Sequence, residues 1–269
     1  MREWISKLIT VGMDLGTQRV KVVVLKDDFI VGRAMEFSGF DPTKAAEKAV
    51  NNALNQANLK QTDVQHFSAT GSAMDLAPYQ NSTVSMMSAD AKAGVKLIPT
   101  ARTIIDIGAE EARAVKCDER GVMADFVVNE RCAAGAGAFI EAMARALEIK
   151  LEDMGPLSLK AERSSPINAS CVIFGESDVV SLIHRQEPKP EIARAVLDAM
   201  ADRVSSMIHR LGINPEVVLV GGVAKDEGFV ASLNRKLGLT VKIPEYPDYV
   251  GAYGAAIIAA IRAAKEATN

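Results

Sequence analysis

The chain has 269 residues, 48% of them hydrophobic and 24% charged, with a formal net charge of −3. That length allows one large domain or two of ordinary size, and the charge balance offers no general attraction to nucleic acid or to an anionic membrane. Aromatics at 5% leave little for base stacking, and three cysteines are too few for a disulfide framework and indicate a reducing cytoplasm.

Met1 to Lys7 carries no secretory apolar core, and no apolar run approaches the roughly 18 residues of a membrane helix. Leu8 to Met13 is an apolar run that ends at Asp14-Leu15-Gly16-Thr17, and Val20 to Leu25 is a second, β-branched run. Together they predict a hairpin around a tight polar turn. Asp41 as N-cap and Pro42 at N1 open a helix to about Ala57. His66 to Thr70 reads as a short strand entering a Gly71-Ser72 turn, and Met74 to Met87 reads as a loop. Thr103 to Ile107 then repeats the opening theme, ending at Asp106-Ile107-Gly108-Ala109. Glu111 to Lys116 is its return strand and Val122 to Val128 the next. The recurrence of Asp-x-Gly predicts a duplicated fold.

Helices are expected at about Ala133 to Leu147, Glu176 to His184 and Glu191 to Leu211, the last following Pro188-Lys189-Pro190. Val217 to Val220 is a buried strand ending in Gly221-Gly222. Gly228 to Leu237 reads as helix, Val241 to Ile243 as a last strand, and Gly251 to Lys265 as an Ala-rich terminal helix.

Three glycine-bearing turns therefore follow strands, at Gly16, Gly108 and Gly221. Glycine there lets backbone N–H groups approach a phosphate, while Asp14 and Asp106 suit Mg²⁺ or the orientation of an attacking water. Thr17 adds a hydroxyl donor. Cys132 and Cys171 each stand at an expected helix start, where the helix field favours a thiolate by about 0.3–1 kcal/mol. Two thiolates are too few for a closed metal site in one chain; if they hold metal, a second subunit completes it. Cys117 ends a strand before an acidic turn and reads as structural. His66, His184 and His209 are scattered and read as surface or half-buried residues.

These motifs resemble the actin, Hsp70 and sugar-kinase superfamily of ATPases. Within it they are most similar to the activator ATPases of 2-hydroxyacyl-CoA dehydratases and the ATPase subunits of benzoyl-CoA reductase. The residues that carry the resemblance are Asp14-Leu15-Gly16-Thr17, Ala69-Thr70-Gly71, Ile105-Asp106-Ile107-Gly108, Cys132-Ala133-Ala134-Gly135-Ala136-Gly137, Cys171 with Glu176-Ser177, Gly221-Gly222-Val223-Ala224 and Gly251-Ala252-Tyr253-Gly254-Ala255-Ala256. The resemblance implies an α/β, duplicated ribonuclease H-like ATPase fold with a nucleotide cleft between two halves. One half would be residues 1–98 with the C-terminal helix 252–269, the other residues 99–251 with both cysteines. It implies ATP and Mg²⁺ at Asp14 and Asp106, with Gly16, Thr17, Gly71, Gly108, Ala109, Gly221, Gly222 and Val223 around the nucleotide. It implies one [4Fe-4S] cluster on Cys132 and Cys171 of each of two subunits, ferredoxin as electron donor, and an acyl-CoA reductase or dehydratase as acceptor.

The homodimeric activators carry Asp-x-Gly-Gly-Gln-Asp at the second turn, where this chain reads Asp106-Ile107-Gly108-Ala109-Glu110-Glu111. Glu110 is the expected substitute for the water-positioning glutamine. The altered turn, with Asp118-Glu119-Arg120-Gly121, resembles one ATPase chain of benzoyl-CoA reductase and favours a heterodimer with a paralogous ATPase subunit. The alternatives are a homodimeric dehydratase activator, a small-molecule kinase of the superfamily, and an ATPase-like subunit without turnover.

Overall fold

A computed structural model of the chain describes residues 8–129, 135–167 and 171–267. It divides into two compact units. One comprises the chain up to Ala101 with Cys117–Ala124 and the stretch from Asp248 onward; the other comprises Arg102–Lys116 and Asp125–Pro247. The first boundary thus falls a few residues later than the sequence suggests and the last a few earlier. Residues 117–124 join the first unit, where Lys92 Nζ donates to the Arg120 carbonyl at 2.7 Å.

In the first unit β1 (Ile9–Leu15), β2 (Arg19–Lys26) and β3 (Phe29–Phe37) form an antiparallel meander. The helix α1 (Pro42–Gln56) follows, its N-cap Asp41 accepting from Lys44 N at 3.1 Å. Next come β4 (His66–Thr70), the two-residue β5 (Ser82–Thr83) and α2 (Met86–Leu97). The sheet order is β3-β2-β1-β4-β5, with β4 parallel to β1.

Period-two alternation assigns the faces. Val11, Met13, Leu15, Val20, Val22 and Val24 pack with Ala46, Ala49, Val50 and Leu54 of α1 in one core. The opposite face of β1 carries Thr10, Gly12 and Asp14. There the terminal helix lies so close that a Cβ on Gly12 would meet the Ala252 carbonyl at 2.0 Å.

The second unit begins with β6 (Thr103–Ile107), β7 (Ala112–Cys117) and β8 (Met123–Asn129). Helices α3 (Gly137–Ala146), α4 (Met154–Ser158), α5 (Val172–His184) and α6 (Lys189–Leu211) follow, then β9 (Val217–Val220) and α7 (Glu227–Leu237). The sheet order is β8-β7-β6-β9, antiparallel between β6 and β7 and parallel between β6 and β9. Phe139, Met143, Ile192, Leu197, Met200 and Phe229 fill its core with Ile105, Ile107 and Leu219. The terminal helix α8 (Val250–Glu266) returns to the first unit.

The meander and its parallel neighbour occur twice, as β3-β2-β1-β4 and β8-β7-β6-β9. The duplication expected from the two Asp-x-Gly turns is thereby realised in the topology. Several expectations are corrected. β3 has no counterpart among the expected elements, Met86 opens a helix capped by Ser85 rather than closing a loop, and α5 begins at Val172 rather than Glu176. The strand expected at Val241 to Ile243 is only a bridge between Val218 and Lys242. Among the described residues no helix is long and apolar enough to cross a membrane.

Candidate nucleotide and cluster sites

The first turn is built at the C-terminal end of β1. Asp14 opposes Lys21 across the β1–β2 ladder, and Lys21 Nζ lies 3.1 Å from Asp14 Oδ2, with both side chains largely buried. Gly16 N donates to the Arg19 carbonyl at 3.1 Å and Ser38 Oγ to the Gly16 carbonyl at 2.7 Å, leaving Thr17 exposed at the tip. On the other side Thr70 is the parallel partner of Asp14. Its hydroxyl is buried without a hydrogen-bond partner among the described residues. Gly71 follows at φ +99°, and a Cβ there would lie 2.5 Å from the Leu15 carbonyl. Gly251, in the first turn of α8, faces the Asp14 carboxylate, with its Cβ position 3.4 Å from Oδ2. That helix start has no side-chain cap and no acidic residue of its own, so its positive end favours the Asp14 carboxylate.

The second unit repeats the arrangement with other residues. Asp106 opposes Arg113 on β7, the same seven-residue offset. Arg113 Nε and Nη2 reach Asp106 Oδ2 at 2.9 and 2.8 Å, and Nη1 reaches Glu111 at 3.4 Å. Gly108 N donates to the Glu111 carbonyl at 2.9 Å, closing the turn. Val220 is the parallel partner of Asp106, and Gly221 follows at φ +88°. A Cβ on Gly221 would lie 2.3 Å from the Ile107 carbonyl and 2.4 Å from Asp106 Oδ1. Gly71 and Gly221 thus hold equivalent places in the repeat. Each needs left-handed backbone and a close approach that a Cβ forbids. Gly222 and Val223 open a short 3₁₀ turn, and Glu110 is exposed while Glu111 carries the contact to Arg113.

Helix α3 starts directly on the second turn. Gly137 N donates to the Gly108 carbonyl at 2.9 Å and Ala138 N to the Ala109 carbonyl at 2.7 Å. Cys171 is the N-cap of α5, half-buried, with its sulfur accepting from Ile173 N at 3.3 Å. Ile173 (70% exposed), Phe174, Val180 and Ile183 form an exposed apolar strip beside it. Cys132 lies outside the described residues. Cys117 is buried in β7. Among the described residues no group of three or more His, Cys, Asp or Glu side chains could hold a metal.

Residues 11–259 match the BadF/BadG/BcrA/BcrD ATPase family. The chain belongs to that family. It is 34% identical to the activator of lactoyl-CoA dehydratase from Anaerotignum propionicum, over 94% of this chain and 97% of that one. It is 35% identical to one of the subunits of benzoyl-CoA reductase from Thauera aromatica, over 94% of each. The solved activator of the 2-hydroxyisocaproyl-CoA dehydratase from Clostridium difficile, with bound ADPNP, superposes with a TM-score of 0.91 at 30% identity, over 97% of each chain. The fold is that of the actin, Hsp70 and sugar-kinase ATPases.

Sequence reasoning missed Lys21, Arg113 and the buried Thr70 hydroxyl. The signal for the first two was present: a basic residue seven positions after each aspartate. His66, read as surface or half-buried, is in fact buried, its Nε2 2.9 Å from Ser82 Oγ.

Proposed function

We propose that this chain is an ATP-hydrolysing activator that delivers single electrons to a 2-hydroxyacyl-CoA dehydratase, working as a homodimer in the cytoplasm. The observation that carries this reading is the anchoring of α3 on the second turn. The helix that continues from the Cys132 segment is hydrogen-bonded to Gly108 and Ala109, and it packs on α5, which Cys171 caps. A change of state at the phosphate turn therefore has a route through α3 to the helix that Cys171 caps. The named activities of two relatives, both dehydratase activators, support the same choice.

In this reading Asp14 sits beside Mg²⁺ and the phosphates, and Asp106 orients the attacking water. Water oxygen bonds to the γ-phosphorus as the bridging bond to ADP breaks, and the water proton leaves to solvent. Gly16, Thr17, Gly71, Gly108, Ala109, Gly221, Gly222 and Val223 would serve the phosphates and nucleoside. Cys171 fits a thiolate ligand: a helix start and a backbone N–H face its sulfur. Cys132 would be the second ligand from this chain, and a second copy would give the other two. A [4Fe-4S] cluster so held supplies one-electron transfer. The exposed strip of Ile173, Phe174, Val180 and Ile183 suits burial by that second copy.

Anaerobic purification tests the reading. About four iron and four sulfide per dimer are expected, with ATP-dependent activation of a 2-hydroxyacyl-CoA dehydratase when reduced ferredoxin is the donor. A folded, colourless protein without iron would sink it. A second reading is supported by the altered turn Asp106-Ile107-Gly108-Ala109-Glu110-Glu111 and by the 35% identity to the benzoyl-CoA reductase chain of Thauera aromatica. There the chain pairs with a paralogous ATPase subunit and serves an aromatic acyl-CoA reductase. Activity that requires a co-purifying related chain would select it.

A further inference from the structure

Asp106 is held through one of its oxygens. Oδ2 receives Nε and Nη2 of Arg113 at 2.9 and 2.8 Å, and Oδ1 faces the Gly221 turn, 2.4 Å from where a Cβ would stand. The third guanidinium nitrogen extends the grip to Glu111 at 3.4 Å, and the Glu111 carbonyl accepts from Gly108 N at 2.9 Å. Arg113 is itself buried, 7% exposed. Its planar donors therefore join strand β6, the second phosphate turn and the strand that returns from it. At the equivalent place in the first unit Lys21 meets Asp14 through a single nitrogen. An ammonium offers no two-pronged geometry, so an Arg and a Lys at these equivalent places restrain their aspartates differently.

We propose that Arg113 is a positioning residue for ATP hydrolysis, acting through Asp106. It pins one carboxylate oxygen so that the other is presented at the Gly221 turn, and it holds Glu111 so that the turn keeps one shape. Glu111, rather than the exposed Glu110, is then the acidic residue of this turn that matters for turnover. The proposal rests on the ATPase reading above.

The test is steady-state ATPase kinetics with ADP affinity by calorimetry, on the whole dimer. Arg113→Lys keeps a buried cation and should keep fold and ADP affinity, while kcat falls about tenfold because the carboxylate is no longer held on two bonds. Arg113→Met should lose about a hundredfold in kcat. Glu111→Gln should lower kcat by a smaller factor than Arg113→Met. Arg113→Met leaves a buried carboxylate without its cation and could unfold the unit, so Arg113→Met with Asp106→Asn, which removes both charges, is made alongside. An Arg113→Lys enzyme with wild-type kcat would overturn the proposal. So would a double variant that regains full kcat together with its melting temperature, which would make the pair purely structural. A wild-type dimer that binds ADP but never hydrolyses ATP would instead overturn the ATPase reading, and this proposal with it.

Discussion

The two hairpins, β1–β2 and β6–β7, share a plan and differ in what surrounds the aspartate. In both, the basic partner stands seven residues on and directly across the ladder, and a left-handed glycine after the parallel strand presses on the carbonyl of the next residue. In the first unit the neighbours are a lysine, an unpartnered threonine hydroxyl and an uncapped helix start. In the second they are an arginine, a valine and a second carboxylate. The first aspartate is therefore restrained by a single cation in polar surroundings, and the second by a guanidinium on two bonds. On the proposed ATPase reading, the first would meet the metal ion and the second the attacking water.

Replacing each aspartate separates these roles. Asp14→Asn should lower kcat by about a hundredfold or more and raise the Mg²⁺ concentration needed for half-maximal rate. Asp106→Asn should lower kcat with little change in that Mg²⁺ requirement. Equal Mg²⁺ shifts in both variants would erase the distinction. The glycines come next. Gly71→Ala and Gly221→Ala each force a Cβ into backbone at positive φ and should cost about 2–4 kcal/mol in chemical denaturation. Only Gly221→Ala also pushes on an aspartate oxygen, so it alone should lose ATPase activity beyond what its stability loss explains.

A smaller effect distinguishes ligand from cap at Cys171. Its sulfur accepts from Ile173 N, so Cys171→Ala should cost about 1 kcal/mol as a lost N-cap, whereas Cys171→Ser should retain the cap. Both should lose the iron. Iron retained in Cys171→Ser would remove the cysteine from the ligand set while leaving its capping role intact.

Much of this plan was legible in the chain, and the gaps have physical causes. The turns at Gly16, Gly108 and Gly221 announced themselves because strands must end where glycine and aspartate cluster. Lys21 and Arg113 stayed hidden inside β-branched runs, where period-two alternation makes a single basic residue look like an ordinary outward position. Helix α2 lacked an apolar stripe because small residues, Ala89, Ala91, Ala93 and Gly94, let it pack at backbone distance: Gly254 would clash with the Ala89 carbonyl if it carried a Cβ. Strand β3 was obscured by exposed Phe29, Ile30 and Phe37, which break the alternation expected of an edge strand. The pairing of Gly71 with Gly221 could only emerge from the register.

The same comparison predicts where the pH sensitivity of folding resides. The face of β4 beside β1 carries His66, Ser68 and Thr70, whereas β9 is Val-Val-Leu-Val throughout. Burial holds the His66 imidazole below the ordinary histidine range; nearby Arg262 reinforces this, and exposed Glu266 opposes it. The folded chain thus resists taking a proton that the unfolded chain accepts as pH falls through about 6.5. Stability is full above that value and is lost as pH falls towards the lowered folded-state value. Urea melts between pH 8 and 5.5 should show this decline, and His66→Gln, which keeps a polar partner for Ser82, should flatten it. An unchanged slope in His66→Gln would move the acid sensitivity to the carboxylates and leave the polar face of β4 without this role.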